Sequence, residues 1–282
     1  MPTSRSMIVL LSLVACARTP ARSNQPTAPV RSSESTGEPT GGTAVSDEER
    51  DRFLETVKSG ELGDIQRALA RTPTLAAARA PTGRSAVLLA LSRAPDTRGK
   101  GQDFYLAADN PFLKAVLAAH PPLDPFETAA VGDAGALARL LTGDATLLTR
   151  VHKSGWTLLH FAAFAGNTEA VRVLLDRGAG LEKRAENKFE NTPLLVALLT
   201  GDRATVQLLL DRGANLAARY EGGTTALHLA AELGRADLVK LLLDHGAAVN
   251  ARTDDGGTPL AIAVKHSRAA AAELLRSRGA EM

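Results

Sequence analysis

The 282-residue sequence contains one cysteine, Cys16. An intramolecular disulfide and any multi-cysteine zinc or iron–sulfur site are therefore excluded. Aromatic side chains are scarce, at 4% of the residues, and the longest apolar run is Met7–Ala15, nine residues interrupted only by Ser12. A membrane-spanning helix needs about 20 apolar residues, so no segment qualifies. No charge sign dominates, because 33 basic residues face 31 acidic ones for a net charge of +2. The summed field gives no attraction to nucleic acid or to a strongly anionic partner. Eight of the basic residues are Lys and 25 are Arg, which reads as the base composition of a GC-rich genome rather than as a phosphate site.

Catalytic motifs are missing too. The six histidines, His120, His152, His160, His228, His245 and His266, form no HExxH and no close pair. A nucleophile elbow of the G-x-S-x-G type is absent. Arg98-Gly99-Lys100-Gly101 lacks the spacing of a phosphate loop and reads as an exposed basic loop. The sequence thus offers no catalytic residue, cofactor site or metal site, and the chain is expected not to be an enzyme.

What is present begins with an address. The run Met7–Ala15 follows a short polar stretch carrying Arg5 and has the length of a signal-peptide core. It ends in Leu13-Val14-Ala15-Cys16, which resembles the lipobox of bacterial lipoproteins. That resemblance implies removal of residues 1–15 and lipidation of Cys16, whose thiolate is nucleophilic enough to take a lipid as a thioether. Several acyl chains, at about 0.8 kcal/mol per buried CH₂, would anchor the protein stably. Ala17 follows, which in two-membrane bacteria resembles the default for delivery to the periplasmic face of the outer membrane; otherwise the destination is the cell surface. From Ala17 to Ser46, 17 of 30 residues are Pro, Ser, Thr or Gly. Such a segment cannot bury enough surface to offset its chain entropy, so residues 16–46 are expected to be a lipidated cysteine on a disordered tether.

The remainder repeats. Thr157, Thr192, Thr225 and Thr258 open the segments TLLH, TPLL, TALH and TPLA at spacings of 35, 33 and 33 residues. Gly178, Gly213, Gly246 and Gly279, each followed by Ala, recur at the same intervals. One period reads as a short helix capped by the threonine hydroxyl, then a second helix with a leucine stripe ended by the glycine, then a turn rich in Asn, Asp and Gly. Pro193 and Pro259 sit just inside the first helix, where a missing N–H costs nothing.

This punctuation resembles the ankyrin repeat. The resemblance covers residues 47–282: clear repeats over 152–282, and degenerate ones over 47–151 with an insertion at 94–110. It implies an all-α solenoid of about seven helix-turn-helix units with β-hairpin or turn fingers, and a protein-binding role. In such repeats the histidines at the TLLH and TALH positions, His160 and His228, tie adjacent turns. After the insertion, Asn110-Pro111 has the form of a cap and first helical residue.

The same resemblance places partner contacts on the fingers and at the end of each first helix. Here those positions are Lys153, Trp156 and Phe164, then Lys188, Phe189, Asn191 and Leu199. Glu221, Thr224, Glu232 and Leu233 follow, and last come Asp254, Asp255, Lys265 and His266. Trp156, Phe164 and Phe189 fall on consecutive units, and exposed aromatics are typical binding anchors. Packing against a neighbouring finger is the alternative, and it stays open, most evenly for Trp156. The expected function is a lipid-anchored, exported module that binds a protein partner through its concave groove and fingers, without cofactor or nucleic acid, as a monomer. A structural spacer of the envelope, or a small-ligand binder or enzyme built on the 94–110 insertion, are the competing readings.

Overall fold

The computed structural model describes residues 45–80, 85–92 and 110–282. The signal segment, Cys16, the tether up to residue 44 and all of the insertion except Asn110 lie outside the described residues.

Fourteen α-helices among the described residues form seven consecutive pairs. The first two pairs are α1 (Asp47–Ser59) with α2 (Leu62–Arg71), and α3 (Ala86–Leu91) with α4 (Pro111–Leu117). The third pair is α5 (Pro125–Val131) with α6 (Ala134–Gly143), and the fourth is α7 (Leu158–Ala165) with α8 (Thr168–Asp176). Next come α9 (Pro193–Thr200) with α10 (Arg203–Asp211) and α11 (Ala226–Leu233) with α12 (Ala236–Asp244). The series ends with α13 (Pro259–Lys265) and α14 (Ala269–Ser277). Each pair packs on the next, making an all-α solenoid. Among the described residues no strand forms; two isolated antiparallel bridges, Arg79 with Ser85 and Tyr220 with Thr224, are all that remains of the expected hairpins.

Local chemistry starts each first helix. The Thr192 hydroxyl accepts from the Leu195 amide, the Thr258 hydroxyl from Ala261 at 3.2 Å, and Ser85 caps α3 by accepting from Leu88. Asn110 caps α4 as its sequence suggests, accepting from Leu113 at 2.9 Å. Its amide also donates to the Ala90 carbonyl at 2.8 Å, tying α4 to the end of α3 across the insertion. In the third unit the cap is Asp124, and a capping box with Glu127 closes the first turn of α5. Asp124-Pro125-Phe126-Glu127 stands 33 residues before Thr157-Leu158-Leu159-His160 and repeats its pattern.

Helices of 6 to 13 residues are marginal alone, so the stack stabilises them. Small alanines, Ala129-Ala130, Ala162-Ala163 and Ala230-Ala231, are buried where the first helices meet, while Leu159, Leu174, Leu209, Leu227, Leu238 and Leu242 fill the space behind. Burying one such leucine is worth about 1.5–3 kcal/mol. Helices α7 and α9 are apolar on every side, and all their side chains are buried except that of Thr200, which is half-buried.

Arginine does more than composition suggests. Arg235 donates to the Gly201 carbonyl at 3.0 Å and Arg268 to the Glu232 carbonyl at 2.9 Å, each closing the end of the first helix one unit back. On the outer side Arg212 pairs with Asp176 at 2.9 Å and Arg278 with Asp244 at 3.0 Å. The planar guanidinium suits these fixed carbonyl and carboxylate targets. The arginines whose excess reads as base composition thus include a set of inter-unit clamps.

Candidate functional site

The fingers between units carry the most exposed side chains of the anticipated surface. They are held in register by backbone bonds: the Glu186 amide donates to the Gly155 carbonyl at 2.7 Å, and the Asp254 amide to the Gly222 carbonyl at 3.0 Å. Arginines repeat the link, Arg184 donating to the Arg219 carbonyl at 2.8 Å and Arg219 to the Arg252 carbonyl. Asn187 reaches the Ser154 carbonyl at 2.9 Å. The row is therefore rigid before any partner arrives, which reduces the ordering cost of association.

Beneath the fingers the two repeat histidines act as expected. His160 Nδ1 accepts from the Thr157 amide at 3.3 Å and lies 2.8 Å from its hydroxyl, while Nε2 faces the Asn191 carbonyl of the next unit at 3.0 Å. His228 makes the matching set with Thr225 and the Gly257 carbonyl. Both rings must carry their proton on Nε2 to donate to those carbonyls. Burial pushes the His160 pKa down to about 4 and lowers that of His228 as well. In the third unit Glu127 holds the histidine position; it is buried, accepts from the Asp124 amide at 2.8 Å and pairs with Arg79 at 2.7 Å.

The anticipated residues divide sharply. Lys153, Lys188, Glu221, Asp254, Asp255 and Lys265 are exposed, and Thr224, Glu232, Leu233 and His266 are half-buried. Trp156, Phe164, Phe189, Asn191 and Leu199 are buried. The aromatic anchors expected on the surface are thus corrected: Trp156, Phe164 and Phe189 are 5%, 9% and 7% exposed. For Trp156 and Phe164 the reason is an aromatic layer. Trp156 lies 5.3 Å from the rings of both Phe161 and Phe164, and Phe126 lies 5.5 Å from Phe161 and 5.1 Å from His152. Edge-to-face and tilted contacts of this kind stabilise a core. The signal available was Phe126 and Phe161 falling on successive first helices, α5 and α7. Phe189 turns inward beneath Lys188, whose ammonium sits 4.8 Å above its ring.

The surviving surface is charged and changes sign along the row. Lys153 and Lys188 stand on the fingers entering the fourth and fifth units; Glu221, Asp254 and Asp255 stand on those entering the sixth and seventh. Among the described residues neither Lys153 nor Glu221 has an ion-pair partner, while Asp254 is 3.9 Å from Arg219. No three His, Cys, Asp or Glu side chains among the described residues come together as a metal site, and no described helix is long and apolar enough to cross a membrane. The insertion of the ligand-binding alternative, residues 94–109, lies outside the described residues.

Comparison with known proteins agrees with this architecture. A family model of ankyrin repeats, in three copies, matches residues 127–220 and 217–282, more than half of the chain. The chain is an ankyrin-repeat protein. Over 67 residues it is also 42% identical to the transient receptor potential cation channel subfamily A member 1 homolog of Caenorhabditis elegans, covering 24% of this chain and 5% of that relative. The chain therefore spans only a small part of that channel's length. Ankyrin repeats generally serve as protein-interaction modules and are typically not enzymes.

Proposed function

We propose that this ankyrin-repeat protein is a non-enzymatic recognition module that captures a protein partner along its finger row. The carrying observation is the set of exposed charges, Lys153, Lys188, Glu221, Asp254 and Asp255, held on fingers that the backbone and arginine links keep in register. We assign Lys265 and His266 at the end of α13, with Thr224, Glu232 and Leu233, to the same binding surface. Buried Trp156, Phe164, Phe189, Asn191 and Leu199 support this surface from below. Complementary charge steers encounter and fixes register, while the preformed scaffold limits the entropy lost on binding.

The signal-like run and Leu13-Val14-Ala15-Cys16 support export and lipidation at Cys16, with a tether that lifts the solenoid off the membrane and ends before Val45 and Ser46, since Val45 packs against the core and Ser46 caps α1. In a two-membrane bacterium the site of action is the periplasmic face of the outer membrane. The test combines cross-linking in the native envelope with charge reversal. Lys153→Glu with Lys188→Glu should abolish the cross-linked species while leaving the helix content unchanged and the fold cooperative. Unaltered cross-linking would refute capture along the fingers. Cys16→Ala should move the protein from the membrane to the soluble fraction, and membrane retention without the cysteine would refute lipid anchoring.

A further inference from the structure

The fingers entering the fourth to seventh units each place one charged residue at the same point of the turn. Lys153, Lys188, Glu221 and Asp254 stand four residues before the cap threonines Thr157, Thr192, Thr225 and Thr258, and all are exposed. Along the stack this position is positive, positive, negative, negative. The other charges of these fingers are engaged locally. Lys183 pairs with Glu186 at 2.9 Å and Arg184 with Glu190 at 3.7 Å, while Arg219 donates to the carbonyls of Gly223 and Arg252. Asp255 accepts from the Thr253 hydroxyl within its own finger. Among the described residues Lys153, Lys188 and Glu221 have no ion-pair partner, and Asp254 has only Arg219, at 3.9 Å. Exposed charges left uncommitted in this way remain available to an outside surface of complementary order.

We infer, on the reading of the finger row as the capture surface, that its occupant is a second copy of this chain lying antiparallel to the first. The two-fold axis passes between the fingers that enter the fifth and sixth units. In a two-fold contact a residue i that touches j is repeated as j touching i. Lys188 of each copy then faces Glu221 of the other, and Lys153 faces Asp254. The charge order is antisymmetric about the centre of the row, so one surface carries both halves of the complement. A parallel pairing would set lysine on lysine and acid on acid, and the antiparallel arrangement is selected. Register is fixed before the copies meet, because the Glu186 amide holds the Gly155 carbonyl and the Asp254 amide holds the Gly222 carbonyl. Exposed ion pairs are individually weak and screened by salt, so the dimer belongs to low ionic strength and high local concentration. It departs from the monomer that the sequence suggests.

Sedimentation of the full chain in the Cys16→Ala background, where no acyl chain contributes, provides the test. The expected result is a monomer–dimer equilibrium at low ionic strength that fades toward about 1 M salt, where the screening length is about 3 Å. Lys153→Glu with Lys188→Glu places like charges at every contact and should weaken the dimer by about a hundredfold. Charge exchange tests the register. Lys153→Glu with Asp254→Lys should preserve the dimer, because those positions face each other, whereas Lys153→Glu with Glu221→Lys should abolish it. Circular dichroism should report unchanged helix content for every variant, since the substituted positions are exposed. Three results overturn the pairing: a chain that stays monomeric at high micromolar concentration in low salt, a dimer indifferent to the paired reversal, or one that the Asp254 and Glu221 exchanges affect alike. If cross-linking in the native envelope instead joins the chain to a different protein, and the paired reversal abolishes that species while the purified chain is monomeric, the capture surface stands and the second copy as its occupant falls.

Discussion

The guanidinium of Arg235 donates to the carbonyl of Gly201 across 34 residues of sequence, at 3.0 Å, and so finishes a helix that belongs to the preceding unit. Gly201 has φ of 76°, and a Cβ there would collide with Arg235. Stability of one unit is thereby written partly in the next, as expected of a stack governed by nearest-neighbour terms. Arg235→Ala should cost about 1 kcal/mol through loss of a charged hydrogen bond. Gly201→Ala should cost at least as much, about 1–2 kcal/mol, because it combines a left-handed backbone with a displaced clamp. Urea unfolding of both variants and of the double mutant should show costs that do not add, as for residues in contact.

Acid should begin to loosen the solenoid before it protonates the carboxylates. His160 and His228 are buried neutral, so their folded pKa values lie below the ordinary histidine value. The unfolded chain then binds more protons, and stability present above about pH 6.5 is lost as the pH falls. For His160, whose pKa is pushed down to about 4, the loss approaches roughly 3 kcal/mol once the pH has passed through that value. Thermal melting between pH 7 and pH 4 should show a falling midpoint. His160→Ala should be less stable at neutral pH but have a flatter acid dependence.

Phe164 and Phe189 separate a core role from a binding role. Both are buried, so Phe164→Ala should destabilise the fold by about 3 kcal/mol, with a smaller cost for Phe189→Ala, because Phe164 belongs to the core cluster and Phe189 does not. Lys153→Glu with Lys188→Glu should lower the stability by no more than about 1 kcal/mol, the scale of the lost contact between Lys188 and the Phe189 ring. Equilibrium denaturation followed by Trp156 emission checks both, since this sole tryptophan is buried and reports folding.

Glu127 and Arg79 form a further pair worth breaking. Arg79→Ala leaves the buried Glu127 carboxylate without its cation and should cost about 2 kcal/mol, less than for a fully buried pair because Arg79 is partly exposed. Hydrogen exchange should show the loss concentrated in α5 and the units before it. Uniform loss across the solenoid would argue against a local role.

The period of 33 to 35 residues, the capped first helices, the leucine stripes and the left-handed glycines are all legible in the sequence. They depend on local rules: a hydroxyl three residues before an amide, a glycine where φ is positive, a repeating apolar stripe. Even the delayed second helix after the insertion is marked by Asn110-Pro111. The sequence also determined which charges stand on the fingers, because polar residues in turns face water. Only the tertiary structure decided the direction of Trp156, Phe164 and Phe189. A side chain at a finger or helix end can turn outward or beneath its neighbour; Phe161, packed on Phe126 one unit back, gave Trp156 and Phe164 an inward layer, while Phe189 lies beneath Lys188.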